Sequence, residues 1–145
     1  DAPSLYSIGL AHKHLPEMQK LAGLDSAPVF VPILGDIRQG MMTSVMLQNR
    51  LLNGSPTAQD ICEMLSSYYE GQEMVRVLPF GGETPRLATS ALAGKDYLTI
   101  SVSGHTDQTL LTAQFDNLGK GASGAAVQNM NIMLGFPETT GLNMD

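Results

Sequence analysis

Tyr97-Leu98-Thr99-Ile100-Ser101-Val102-Ser103-Gly104-His105-Thr106-Asp107-Gln108-Thr109-Leu110-Leu111-Thr112-Ala113-Gln114-Phe115 is the stretch on which the fold turns. Residues 97–103 and 110–115 are both rich in β-branched and apolar side chains, and the polar residues between them are too few to form a crossover helix. Two strands in immediate succession break the strand–helix alternation of a doubly wound parallel sheet. Upstream, residues 29–34 and 41–47 read as strands flanking the turn-rich segment 35–40 and are expected to pair as neighbours. Further strands are expected over 5–10 and 74–78, the latter followed by a Gly/Pro-rich connection at 81–85. Pro16 opens a short helix that runs to Leu21 and stops at Gly23. Ser55-Pro56-Thr57 opens the clearest helix, in which Ile61, Met64, Leu65, Tyr68 and Tyr69 recur at helical spacing as an expected buried stripe. Residues 122–134 return to a helical period. The sum is an α+β fold: a mixed or mostly antiparallel sheet with helices on one face.

The chain has 145 residues, the size of one domain, and at that length roughly 68–70% of the unfolded surface is buried on folding. Apolar residues make up 43% and charged residues 15%, which excludes a disordered or collagen-like chain. No internal repeat or charge block divides it, so residues 1–145 are expected to form a single domain. A net charge of -6 argues against nucleic acid or an anionic membrane as partner. No apolar run reaches the about 18 residues of a membrane span, and a single cysteine cannot form an internal disulfide. Both features predict a soluble cytoplasmic protein. The opening at Asp1, directly before a strand-like run, reads as a cut inside a longer polypeptide.

Four features carry chemistry. In Ala11-His12-Lys13-His14-Leu15-Pro16-Glu17, an extended backbone would place His12 and His14 on one side, within reach of one substrate. The positive end of the helix opened by Pro16 favours a neutral ring at His14, and Glu17 is placed to accept that ring's second N–H. A surface pair without a role is the alternative. No four-ligand spacing supports a metal. Gly119-Lys120-Gly121-Ala122-Ser123-Gly124 is a G-x-G-x-x-G after a strand, but too little chain follows for a self-contained dinucleotide-binding unit. Its small residues admit either close helix packing or a cofactor, with Lys120 neutralising a phosphate. Cys62, between Asp60 and Glu63 on a helix, reads as a packing residue. Arg38, in a turn, is either a two-point clamp for a carboxylate or phosphate or a solvated side chain.

The stretches Ala11-His12-Lys13-His14-Leu15-Pro16-Glu17-Met18 and Asp116-Asn117-Leu118-Gly119-Lys120-Gly121-Ala122-Ser123-Gly124-Ala125-Ala126-Val127-Gln128-Asn129-Met130-Asn131 closely resemble the N-acetyl-γ-glutamyl-phosphate reductases, NADPH-dependent enzymes of arginine biosynthesis. The resemblance implies a two-domain enzyme of the glyceraldehyde-3-phosphate and aspartate-semialdehyde dehydrogenase type. A Rossmann domain binds NADP and carries a nucleophilic cysteine, which attacks the acyl phosphate before hydride reduces the thioester to N-acetylglutamate 5-semialdehyde. This chain resembles the second domain, which carries substrate-binding residues and dimer contacts, with residues 119–135 as a helix that packs back on the nucleotide domain. On that resemblance His14, His12 and Glu17 are the acid/base group and Arg38 a substrate ligand, while Asn117, Lys120, Gly121 and Gln128 face the cofactor. The chain lacks the family's cysteine motif, so it is expected to be inactive alone, a partner to its Rossmann domain and to a second copy. The competing reading is a non-catalytic dimerisation module.

Overall fold

The computed structural model describes residues 2–82 and 86–145; Asp1 and the 83–85 part of the Gly/Pro-rich connection lie outside the described residues. The chain divides into two compact units, Asp1–Arg38 and Gln39–Asp145.

In the first unit, β1 (Ser4–Leu5) pairs antiparallel with β2 (Ile33–Leu34), Leu5 opposite Ile33. The strand expected over 5–10 ends at Leu5 because Ser7 and Leu10 both adopt φ 53°, in the left-handed region that breaks a ladder. The strand expected over 29–34 is cut to its last two residues: Pro28 and Pro32 carry no N–H, and the Pro32 carbonyl instead accepts from Tyr6 N–H at 2.9 Å. Helix α1 (Leu15–Leu21) has Pro16 in its first turn, where a missing N–H costs nothing.

The second unit begins with β3 (Met41–Gln48), followed by a 3₁₀ turn at Asn49–Leu51 and helix α2 (Ala58–Tyr68). Strands β4 (Val75–Val77), β5 (Leu98–Gly104) and β6 (Gln108–Phe115) come next, then a π-helical turn at Gly119–Ser123 that runs into α3 (Gly124–Leu134). The sheet order is β3-β6-β5-β4, with β6 antiparallel to both neighbours and β4 parallel to β5. The fold is α+β with a mixed sheet. The expected pairing of 29–34 with 41–47 is not formed: β3 takes β6, whose eight residues match it along its whole length.

Thr57 starts α2 with a capping box, its hydroxyl accepting from Asp60 N–H while the Asp60 carboxylate accepts from Thr57 N–H. The Thr57 hydroxyl and then its N–H hold the Asp60 carboxyl below the ordinary aspartate value. One face of α2 packs Ala58, Ile61 and Cys62 on Val102, with Ile100, Leu111 and Val77 around them. The buried stripe is thus rotated from the expected one. Met64 and Tyr68 stand in solvent, and Cys62 takes their place in the core.

Gly40 sits at the entry to β3 with φ 119°, and a Cβ there would run into the Thr89 carbonyl and lie 2.8 Å from Ser90 Cα. Gly40→Ala is expected to destabilise this unit by about 2–3 kcal/mol, from the strained φ plus the clash. Urea unfolding measures it, and a loss below about 1 kcal/mol would show that the 89–90 backbone yields freely.

Candidate functional site

The residues singled out by sequence fall into two groups, one in each unit. In the first, His12 and His14 do lie together, with ring centroids 5.1 Å apart, although an extended backbone does not bring them there. A turn does: the His12 carbonyl accepts Leu15 N–H at 3.0 Å, and His12 Nδ1 accepts His14 N–H at 3.2 Å. His14 is the N-cap residue of α1, in helical geometry at φ -86° and ψ -6°. Its Nδ1 lies 3.2 Å from Glu17 Oε2, and both side chains are more than half-way into solvent or at its margin. An imidazole that donates Nδ1–H to a carboxylate presents Nε2 as its free acceptor, the atom a general base uses and, once protonated, a general acid uses.

Two residues that sequence reading passed over complete the cluster. Tyr6 and Phe30 set their rings edge-on against His12, at 5.6 Å and 82° and at 5.1 Å and 76°. Arg38, at the end of this unit, is exposed.

In the second unit the organising group is Asp116, which is fully buried. Its Oδ1 accepts from the N–H groups of Leu118 (2.7 Å) and Gly119 (3.2 Å), and its Oδ2 from Gly94 N–H and the Gln39 amide (3.0 Å). Burial pushes the carboxyl up, but these four donors outweigh it and hold Asp116 below the ordinary aspartate value. A lone Asp after a strand gives no sequence signal of this kind. The next residue, Asn117, spends its side-chain oxygen on Gly40 N–H at 2.9 Å.

The glycine-rich turn is satisfied from within. Leu118 and Gly119 donate to Asp116 Oδ1, Gly121 N–H to the Asp116 carbonyl, and Ser123 N–H to the Leu118 carbonyl. Gly119 and Gly124 are small because the 95–96 segment lies against them: a Cβ on Gly119 would sit 2.8 Å from the Lys95 carbonyl oxygen and 2.9 Å from Asp96 Oδ1, and one on Gly124 would collide with the same carboxylate. The close-packing explanation of these two glycines is the one the geometry supports, and the donated N–H groups are not available to cradle a phosphate. Gly121 is exposed, with room for a Cβ only at 3.1 Å from the Asp116 carbonyl and the Phe115 ring.

What this turn can offer a ligand is side chain. Lys120 donates to Gln128 Oε1, and Gln128 Nε2 donates to Glu138 Oε2 at 2.9 Å, which fixes which end of the amide faces the ammonium. Burial lowers the Lys120 ammonium below the usual lysine value, an effect the Glu138 and Asp96 carboxylates partly offset. A half-buried cation with N–H bonds to spare suits a phosphate or a carboxamide oxygen. Among the described residues, no group of three or more His, Cys, Asp or Glu is placed to hold a metal ion. Nor, among them, is any helix long and apolar enough to cross a membrane.

Comparison with known proteins adds two findings. The profile of a family described as semialdehyde dehydrogenase, dimerisation domain, matches residues 1–117. The chain is also similar to proteins named N-acetyl-γ-glutamyl-phosphate reductase: 41% identical over 95% of its length to one from Nostoc sp., 45% over 97% to one from Pseudomonas putida, and 47% over 90% to one from Brucella ovis. It covers 45%, 46% and 44% of those proteins, so it spans a little under half the length of the curated relatives it matches.

Proposed function

The chain belongs to the semialdehyde dehydrogenase dimerisation-domain family, and from that premise we propose that it is the substrate-side and dimerisation half of an NADP-dependent reductase converting N-acetylglutamyl 5-phosphate to N-acetylglutamate 5-semialdehyde in the cytoplasm. The observation that carries this reading is the likeness of nearly the whole chain to proteins bearing that reductase name. The Rossmann domain with its nucleophilic cysteine is the partner. Cys62 does not substitute for that nucleophile, since its thiol is buried in the core and directed to the Leu78 carbonyl at 3.5 Å.

NADPH, when bound, supplies the hydride. This chain's share is proton handling and placement. His14 Nε2 is the atom that takes and returns a proton at the substrate, and Glu17 fixes the tautomer by accepting Nδ1–H. Lys120, oriented through Gln128 and Glu138, would with Gly121 help to hold the nicotinamide nucleotide, its ammonium neutralising a phosphate. Asn117 contributes by anchoring the start of β3 to the turn, its oxygen being already occupied. Arg38, exposed at the end of the first unit, is the ligand for a substrate carboxylate or phosphate.

A second copy covers the sheet face away from α2. Strand alternation puts Met42, Ser44, Met46, Ser101, Ser103 and Leu110 on that face, where a hollow of about 570 Å³ opens and Ser101 Oγ is buried with no hydrogen-bond partner among the described residues. The exposed Met130, Met133 and Leu134 of α3 form the stripe that packs on the Rossmann domain. Acyl-phosphate-dependent NADPH oxidation is expected from the complete polypeptide and none from residues 1–145 alone. A complete polypeptide that binds NADPH yet leaves the acyl phosphate intact would leave the dimerisation module as the better account.

A further inference from the structure

We propose that His12 is a positioning residue for His14, holding the start of α1 through its Nδ1, and not a second proton carrier. The inference rests on the reading of His14 as the acid/base group. A helix start leaves main-chain N–H groups without partners, and Pro16 removes one by having none. The two that precede it both end on His12: Leu15 N–H on its carbonyl at 3.0 Å and His14 N–H on its Nδ1 at 3.2 Å. His14 makes no capping bond with its own side chain, and its carbonyl accepts Met18 N–H at 2.9 Å from within the helix, so on the N-terminal side the direction in which its ring leaves the backbone depends on these two contacts.

A neutral imidazole has one donor and one acceptor nitrogen. With Nδ1 accepting from the main chain, the His12 proton is on Nε2, and a proton at Nδ1 would be driven against the His14 N–H. The edges of Tyr6 and Phe30, at 5.6 and 5.1 Å, keep the ring from turning away. His14 is therefore fixed twice, by His12 at its backbone and by Glu17 at its ring; of the two Nε2 atoms these contacts leave open, that of His12 carries its ring's proton, and that of His14 can gain and lose one without disturbing α1.

The test compares three substitutions in the complete reductase with a spectroscopic measurement on the unsubstituted chain. An Asn side-chain oxygen occupies the place of Nδ1, whereas that of Gln falls near Nε2. His12→Ala and His12→Gln are each expected to lower kcat by about 10²-fold, the scale of a misplacement near 1 Å, with KM little changed. His12→Asn is expected to recover at least about tenfold of that loss. Equal losses in all three, or recovery with Gln in place of Asn, would overturn the proposal. Imidazole ¹⁵N NMR above the usual histidine titration range is expected to show His12 unprotonated at Nδ1, and a protonated Nδ1 overturns the proposal even where His12→Ala fails to fold. His14→Gln with wild-type turnover would instead sink the acid/base reading, and would do so independently of the His12 tautomer.

Discussion

His14→Gln in the complete reductase is expected to lower kcat by about 10²–10⁴-fold, the usual range for a lost general acid–base group. Gln retains the length and the hydrogen-bonding capacity of the imidazole but cannot carry a proton between substrate and solvent, so the loss falls on kcat with KM close to its original value. Glu17→Gln acts through the ring, 3.2 Å away at Nδ1, and leaves the base in place with its tautomer no longer enforced. Its loss is smaller, about 10-fold to 10²-fold. Steady-state rates for the two variants on the acyl phosphate make the comparison. Unchanged turnover in His14→Gln would remove the residue from the mechanism, and a larger loss in Glu17→Gln than in His14→Gln would reverse the roles assigned to them.

The β5–β6 pair and the main helix are legible where the signal is local, whereas the expected pairing of 29–34 with 41–47 fails because β3 takes β6. Alternation over 97–103 and 110–115 leaves no helical reading, and the Thr57–Asp60 capping box marks the start of α2 to the residue. What was illegible depended on distant groups or on residues that carry no compositional mark. Ser7 and Leu10 adopt left-handed φ without being glycine, so the first strand reads longer than it is. The tilt of α2 puts Cys62 inside and Met64 outside, and only the sheet beneath decides that. His12, His14 and Glu17 could be picked out by spacing, yet the turn that joins the rings and the aromatic edges of Tyr6 and Phe30 could not. The glycine signature admits both packing and a cofactor on sequence alone, and the Lys95 carbonyl and Asp96 carboxylate, which account for Gly119 and Gly124 by packing, carry no sequence mark.

Asp116→Ala is expected to be strongly damaging to the second unit, at about 4 kcal/mol. The residue is the point where the entry to β3, the loop at Gly94 and the π-helical turn meet, and each reaches it through a hydrogen-bond donor. Removing the carboxylate strands three main-chain N–H groups and an amide in a buried site, at about 1–3 kcal/mol apiece, less whatever water can recover. Asp116→Asn keeps the shape but turns one acceptor into a donor. It must face either the Leu118 and Gly119 pair or the Gly94 and Gln39 pair, and of these four only Gln39 can reverse its amide to present an oxygen. A cost of about 2 kcal/mol follows for that variant.

The same carboxylate sets a pH dependence. Its folded pKa lies below the ordinary aspartate value of about 3.9, so its stabilisation is fully present above that pH and is lost as pH falls through the lower folded value. Urea midpoints measured from neutral pH down to the acid limit of folding are therefore expected to fall less steeply below about pH 4 in Asp116→Ala than in the unsubstituted chain. If Asp116→Ala cost less than about 1 kcal/mol at neutral pH, the four donors would have to find partners elsewhere. In that event the glycine-rich turn would owe its shape to Asp96 and its own hydrogen bonds, and the placement of Lys120 would no longer depend on the buried acid.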